Sequence, residues 1–217
     1  MQLGPAVPFG PMIIGGTGDG GTEVLVIGNA ELAQLGDGFR EILIGSDSTG
    51  VEITIGDIND PDGEVVFRDP LRIENWNPGG EIWIVNKLVG LDDASLHIRG
   101  SGNTTVISAD ITQSGSISID DSILIDGTIL LESTAGNVAL GGSLGRFIGG
   151  LQDGTDDFLT VNARNGSVRF FEPFGLNETD PAGTGGPLKG LTVTANGDVT
   201  FDGEFVVDGN VVINAGG

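Results

Sequence analysis

The sequence LTVNARNGSVRF at residues 159–170 returns in altered form as LTVTANGDVTF at residues 191–201, and VVINAG at residues 211–216 begins a third copy. Apolar and polar residues alternate in each copy, as they do in half-buried β-strands. Ala195 and Ala215 are 20 residues apart, whereas Ala163 and Ala195 are 32 apart. A unit of about 20 residues with occasional insertions is typical of a solenoid, in which each turn buries its apolar face on the next.

Short runs rich in Val, Ile and Leu continue through the rest of the chain. Most are short enough for strands, and many alternate at period two, so we expect Ile117, Ile119, Ile123 and Ile125 to point inward. The 39 glycines supply tight turns between these runs, since Gly adopts positive φ at little steric cost. The predicted strands begin at Glu23, Glu41, Val51, Gly63, Glu81, Ser95, Thr104, Gly115, Phe158, Gly166, Leu191, Gly197 and Glu204.

These patterns predict an all-β chain folded as a parallel β-helix (β-solenoid) with one short helix and a few loop insertions. Residues 1–22 form a flexible or capping leader, and residues 23–217 form the β-solenoid. An insertion loop interrupts the solenoid at about residues 173–190. The helix is expected at residues 29–35, with Asn29 as its N-cap and Gly36 at its end. We expect the chain to be a fragment of a longer polypeptide.

The chain is strongly acidic, because 31 Asp and Glu oppose 9 Lys and Arg and the formal net charge is −22. Such a surface repels nucleic-acid phosphates and anionic lipid headgroups. No apolar run approaches the roughly 20 residues of a membrane-spanning helix. We therefore expect neither nucleic-acid binding nor membrane insertion. The basic residues are scattered along the sequence without a cluster.

The acidic loop DINDPDGE at residues 57–64 is the candidate metal site. Ca²⁺ takes about six to eight oxygen ligands, which closely spaced carboxylates and carbonyls supply. The alternative interpretation is a solvated turn in which Asp and Asn side chains cap the backbone. A sparser acidic segment at residues 153–157 is a second candidate. The predicted calcium ligands are Asp57, Asp60, Asp62 and Glu64.

Trp76 and Trp83 flank the turn at residues 77–80 and are the candidate ligand-binding residues. Two indole rings on one surface would form a stacking platform for sugar rings, because each ring combines a large apolar face with a polar edge. The alternative interpretation is that they cover one end of the apolar core.

The sequence contains few residues of the types that commonly serve in catalysis. There is no Cys, and His97 is the only histidine. Because His97 alternates with Leu96 and Ile98, we expect it to point outward. The acidic pairs 92–93 and 120–121 are adjacent in predicted strands and therefore face opposite sides, which excludes an acid/base pair. No nucleophile-elbow, zincin or P-loop motif occurs. We predict that the protein is not an enzyme.

The segments LTVNARNGSVRFF at residues 159–171 and LTVTANGDVTFDGEFVVDGNVVINAGG at residues 191–217 resemble the repeats of filamentous-haemagglutinin-type adhesins. Those repeats carry recurrent L-T-[VI]-x-A-x-G-[DS]-[VI]-x-[FL] units. Residues 27–56 resemble a unit of very large exported bacterial surface proteins of that type. The resemblance implies a right-handed parallel β-helix, export, and a role in adhesion or cell-surface filaments. It brings no catalytic residues with it.

The resulting functional prediction is a non-enzymatic structural or adhesive segment of a bacterial surface protein or filament, secreted or held at the cell surface. Its predicted partners are other copies of the chain or neighbouring repeats of a longer one, together with cell-surface glycans. Ca²⁺ is the one cofactor predicted. The alternative function is a carbohydrate-binding or polysaccharide-cleaving β-helix.

Overall fold

The computed structural model describes residues 2–3, 11–16, 24–46, 52–60, 62–76, 79–100, 103–142, 147–171 and 185–217. Nearly all regular structure in these residues is β. In chain order the elements are β1 (Gln2–Leu3), β2 (Met12–Ile14), β3 (Leu25–Ile27), α1 (Asn29–Leu32), β4 (Ile42–Ser46), β5 (Ile53–Ile55), β6 (Glu64–Phe67), β7 (Leu71–Asn75), β8 (Glu81–Ile84), β9 (Lys87–Gly90), β10 (Leu96–Gly100), β11 (Thr104–Ile107), β12 (Ile111–Gln113), β13 (Ile117–Ile119), β14 (Ser122–Ile125), β15 (Thr128–Ser133), β16 (Val138–Leu140), β17 (Ile148–Leu151), β18 (Phe158–Ala163), β19 (Val168–Phe170), β20 (Gly185–Gly186), β21 (Leu188–Ala195), β22 (Val199–Phe201) and β23 (Val207–Ala215).

The strands form three sheets. The first has the order β1-β4-β7-β10-β13-β16-β19-β22, the second β20-β17-β14-β11-β8-β5-β2-β3, and the third β23-β21-β18-β15-β12-β9-β6. From β4 to β21, successive strands lie in the first, second and third sheet in turn. We call three such consecutive strands a round. Neighbouring strands are parallel, except that β20 pairs antiparallel with β17, and none of the sheets closes on itself in the described residues. The predicted all-β class with parallel strands is confirmed.

The similar sequences near the carboxyl terminus lie side by side. Residues 159–163 pair one for one with residues 191–195, which pair in turn with residues 211–215. In the first sheet Phe170 pairs with Phe201, and their rings stack with centroids 4.7 Å apart. Similar residues of the repeated sequences are therefore direct partners in neighbouring strands.

The core is built from aliphatic side chains at alternate positions of each strand. In β10, Leu96 and Ile98 are buried, while His97 and Arg99 are partly exposed. Each neighbouring strand repeats this arrangement in register, and burial of one such side chain contributes about 1.5–3 kcal/mol. The predicted inward residues are all completely buried: Ile117, Ile119, Ile123 and Ile125.

A column of polar residues links consecutive rounds where the chain enters the first sheet. The Ser95 hydroxyl accepts the backbone N–H of Ser116 at 3.0 Å, and the Ser116 hydroxyl accepts that of Asn137 at 3.2 Å. Asn137 Oδ1 accepts the N–H of Ser167 at 2.8 Å, and the Ser167 hydroxyl accepts that of Asp198 at 3.1 Å. The side chain of one round thus bonds the backbone of the next, which satisfies turn groups outside the strand pairing.

The helix is shorter than predicted. It spans Asn29–Leu32, and a turn rather than helix follows as far as Leu35. The predicted N-cap is wrong by one residue, because Gly28 occupies that position in extended conformation without a side-chain hydrogen bond. A helix this short depends on tertiary packing, which the buried side chain of Leu32 provides.

Part of the predicted leader is a strand. Met12 and Ile14 of β2 are completely buried, and β2 pairs with both β3 and β5. Most of the insertion predicted at about residues 173–190 lies outside the described residues. Its last part forms β20 and the beginning of β21.

Candidate functional site

The acidic loop after β5 is a turn held from within the molecule. The Asp57 carboxylate accepts the backbone N–H of Asn59 at 2.9 Å and its Nδ2 at 3.1 Å. The backbone N–H of Asp57 donates to Asn86 Oδ1, and Asn86 Nδ2 donates to the Asp60 carbonyl at 2.5 Å. The bond from the Asn59 N–H to the Asp57 carboxylate is that of an Asx turn, which is the alternative interpretation of this loop, and Asn86 of the next round holds the turn from outside.

The remaining predicted calcium ligands have other surroundings. Glu64 forms a 2.6 Å salt bridge with Lys87 of the next round, and Asp62 is exposed. Within the residues that the structure describes, no three His, Cys, Asp or Glu side chains form a group that would hold a metal ion. Asp57, Asp60, Asp62 and Glu64 are therefore not gathered into such a group, and calcium binding gains no support from the structure.

The second acidic segment, residues 153–157, combines two different environments. Asp153 accepts the N–H and the hydroxyl of Thr155, at 2.8 and 2.6 Å, and the hydroxyl bond lowers the Asp153 pKa most. Asp157 is buried, and its Oδ1 accepts the N–H of Gly127 at 2.7 Å. Burial raises the pKa of Asp157, with a smaller contribution from the neighbouring carboxylates. These contacts also make this segment a capped turn.

Trp76 belongs to an ionic network on the outer face of the first sheet. Its Nε1 donates to Glu74 at 3.5 Å, and the Arg99 guanidinium lies 5.5 Å from the centre of its ring. Glu74 is buried between Arg99, whose Nε donates to it at 2.7 Å, and Arg72, whose Nε lies 3.2 Å away. The strand pairing thus brings together two basic side chains that are far apart in sequence.

Cross-round pairing of this kind recurs along the chain. In each of these ion pairs a basic side chain contacts a carboxylate of the neighbouring round. The pairs are Arg68–Asp92, Arg72–Glu41, Lys87–Glu64, Arg99–Glu74, Arg164–Glu132, Arg169–Asp202 and Lys189–Asp208.

Trp83 forms part of a groove on the outer face of the second sheet. It pairs with Thr54 of β5, and Thr54 pairs with Ile13 of β2. The three outward-facing side chains therefore form one row across adjacent strands, which is the floor of a groove of about 350 Å³. The turn at residues 57–59 lines the same groove, together with Glu52 and Val85.

Neighbouring side chains beside it hold the Trp83 ring in place. Its Nε1 donates to the Glu81 carboxylate at 3.0 Å. The ring packs against a small apolar cluster of Val106, Leu124 and Phe147, all of which are buried. The structure thus brings Trp83 together with Asp57, from the other predicted site. It places Trp76 in the separate network on the first sheet.

The carboxyl-terminal edge is a second candidate site. β22 and β23 are the last strands of the first and third sheets, and each pairs on one side only in the described structure. Val211 and Ile213 of β23 continue the inward-facing columns of β21, yet they are 40% and 45% exposed. Val193, one strand earlier in the column of Ile213, is completely buried.

The residues considered for catalysis serve structural contacts. His97 is partly exposed, as predicted, and its Nε2 lies 3.0 Å from Asp120 of the next round. Asp121 is buried and accepts the Thr105 hydroxyl at 3.2 Å, whereas Asp120 contacts His97; the two residues lie between β13 and β14 and not within a strand as predicted. The pair at residues 92–93 lies in a turn rather than a strand, with φ of 53° and 68°.

The described residues form an all-β protein of three largely parallel sheets, with an apolar groove on the second sheet and uncovered side chains on β23 at the carboxyl-terminal edge. No known protein family, curated protein or solved structure matches the chain. Over the described part of the chain, no helix is long and apolar enough to cross a membrane.

Proposed function

We propose that the three sheets are the faces of one right-handed parallel β-helix and that each round is one turn of it. The rotation of successive strands through the sheets supports this, and so does the polar column from Ser95 to Asp198. Crossover connections between parallel strands are right-handed in nearly all proteins. Eight strands spaced about 4.8 Å apart would extend the stack over roughly 35 Å.

We further propose that the protein has a non-enzymatic structural role, as a segment of a secreted or surface-attached bacterial protein or filament. The resemblance to filamentous-haemagglutinin-type adhesins supports export and adhesion. The net charge of −22 opposes close contact between two molecules, and strand pairing at an uncovered edge supplies an attraction that can oppose this repulsion. The segment would therefore join further β-structure at its carboxyl-terminal edge.

The exposure of Ile213 is the observation that carries this proposal. Val161, Val193 and Ile213 occupy one column of the third sheet. The first two are completely buried and the third is 45% exposed. An unpaired strand edge with exposed aliphatic side chains is a template for another strand, which would satisfy its free backbone groups and cover its side chains.

For residues 1–217 on their own, the occupant that we propose for this edge is a second copy; in a longer polypeptide the next round would occupy the same place. The amino-terminal side is partly covered, because α1 packs on β6. Two acids at the carboxyl-terminal edge are paired with bases, Asp202 with Arg169 and Asp208 with Lys189, each at 2.6 Å. This pairing reduces the repulsion between two such edges. Association edge to edge would give a symmetric dimer.

Light scattering after size-exclusion chromatography, over a range of concentrations, tests this proposal. The wild-type chain should form dimers as concentration rises. Ile213→Lys places a charge at an inward position and should weaken the dimer by about a hundredfold. Val212→Lys is the matched control, because Val212 is equally exposed but outward-facing, and it should have a much smaller effect. A monomer at every concentration, or equal effects of the two variants, would refute the assignment.

The alternative function is carbohydrate binding. The groove at Trp83 is the specific observation that favours it, because an aromatic ring there lies beside hydrogen-bonding side chains.

A further inference from the structure

The floor of the Trp83 groove extends across three strands and is apolar apart from the Thr54 hydroxyl. Ile13, Thr54 and Trp83 are consecutive partners in the strand pairing, and neighbouring strands lie about 4.8 Å apart. The row is therefore long enough for a ligand of more than one ring. The groove volume of about 350 Å³ is at the lower end of the range usual for small-molecule sites.

One wall is an exposed apolar side chain on a fixed turn. Ile58 is 80% exposed, although it lies between the capped residues Asp57 and Asn59. Bonds from Asn86 to the backbone of Asp57 and Asp60 hold this turn at both ends. The wall therefore belongs to a preorganised turn, which lowers the entropic cost of binding.

The polar groups around the floor are mainly acceptors. Glu52, Asn59 and the Thr54 hydroxyl line the groove, and Glu81 lies beside the ring at Trp83 Nε1; the Asp57 carboxylate also lines it but is bonded to Asn59. No Lys or Arg is among these described lining residues. Anionic ligands are therefore repelled, whereas hydroxyl groups find acceptors around an apolar floor.

We infer that this groove is a binding site for a neutral oligosaccharide. A pyranose ring has an apolar C–H face, which packs on the Trp83 indole, and equatorial hydroxyls, which reach the acceptors on the rim. The fixed position of the ring supplies the platform, and the row Ile13–Thr54–Trp83 supplies the length. This inference does not rest on dimer formation and has a separate test.

Titration calorimetry with the full chain provides the test. The probes are cellotetraose, maltotetraose and N-acetylchitotetraose as neutral ligands, trigalacturonate as the anion, and the glucosamine tetramer as the cation. At least one neutral tetrasaccharide should bind with a Kd of about 1 mM or tighter, and trigalacturonate should not bind. If no neutral probe binds, or if only the glucosamine tetramer does, the inference is overturned.

Two pairs of variants locate the site. Trp83→Leu should weaken binding by about tenfold or more, while Trp76→Leu should leave it unchanged. Thr54→Lys obstructs the middle of the floor, and Thr112→Lys makes the same change at an outward position of the third sheet. Binding should be lost in the first and kept in the second. Retention of wild-type affinity in both Trp83→Leu and Thr54→Lys would overturn the inference even if a neutral sugar binds.

Discussion

The two ends of the molecule differ in how far their aliphatic side chains are covered. At the amino-terminal side, Leu32 of α1 is 5% exposed and packs near β6. At the carboxyl-terminal side, Ile213 of β23 has its inward face uncovered. The paired segments LTV of β21 (residues 191–193) and VVI of β23 (residues 211–213) are similar, yet the inward side chains of the first are buried and those of the second are exposed. Whether an aliphatic residue is buried thus depends on the neighbouring round more than on its own strand.

The largest expected effect contrasts two residues of one column, Val193 and Ile213. Val193→Asp places an unpaired charge in the completely buried interior and should destabilise the protein by at least about 4 kcal/mol, which is enough to unfold the carboxyl-terminal rounds. Ile213→Asp places the same group where water reaches it and should cost less than about 1 kcal/mol.

Urea denaturation followed by circular dichroism measures both variants, at a protein concentration low enough for the monomer. Equal unfolding midpoints for Val193→Asp and wild type would show that the column is not inward-facing at Val193. If Ile213→Asp lowered the free energy of unfolding as much as Val193→Asp, the edge would already be covered in the wild-type protein.

An intermediate effect is expected at the covered end. Leu32→Ala removes the buried contact of α1 and should lower the free energy of unfolding by about 2–3 kcal/mol. Gln34→Ala changes an exposed residue of the following turn, which donates to the Ala30 carbonyl at 3.3 Å, and should change stability by less than about 0.5 kcal/mol. Thermal unfolding of the two variants checks this, and similar melting temperatures would mean that α1 does not stabilise that end.

The general fold could be predicted from the sequence because runs in which apolar inward residues alternate with polar outward ones are recognisable as strands. The runs at Ile117, Leu159 and Leu191 alternate clearly, and their like residues pair in register. Strands such as β9 (Lys87–Gly90) and β16 (Val138–Leu140) escaped prediction. In β9 the outward residue between Leu88 and Gly90 is Val89, and in β16 the outward residue is Ala139, so neither strand alternates apolar with polar residues.

The candidate site was less predictable because it depends on register between distant segments. Thr54 and Trp83 are 29 residues apart in the sequence, and Ile13 and Thr54 are 41 apart. Loops of unequal length separate them, so no local pattern places them in one row. For the same reason the sequence, in which the basic residues are scattered, did not predict that Arg72 and Arg99 both pair with Glu74. Trp76 and Trp83 look like a pair only because they are close in sequence.

The smallest expected effect compares the pH dependence of an interior acid and an edge acid. Burial raises the pKa of Asp157 above its ordinary value of 3.8, so the folded state binds a proton more readily than the unfolded state. The associated stability is fully present below pH 3.8 and is lost as pH rises through the raised pKa. At the edge, the hydrogen bond from Lys189 lowers the pKa of Asp208, so its stability is present above pH 3.8 and is lost as pH falls through the lowered pKa.

Asparagine variants isolate these two opposite dependences of stability on pH. Asp157→Asn keeps an oxygen for the Gly127 N–H but no longer titrates. Relative to this variant, wild type should gain stability as pH falls from about 7 toward about 3. Relative to Asp208→Asn, wild type should lose stability over the lowest part of that range. Free energies of unfolding from urea titrations at several pH values give both slopes. If the two differences changed with pH in the same direction, the interior and the edge would not be the distinct environments that the exposure of β23 indicates.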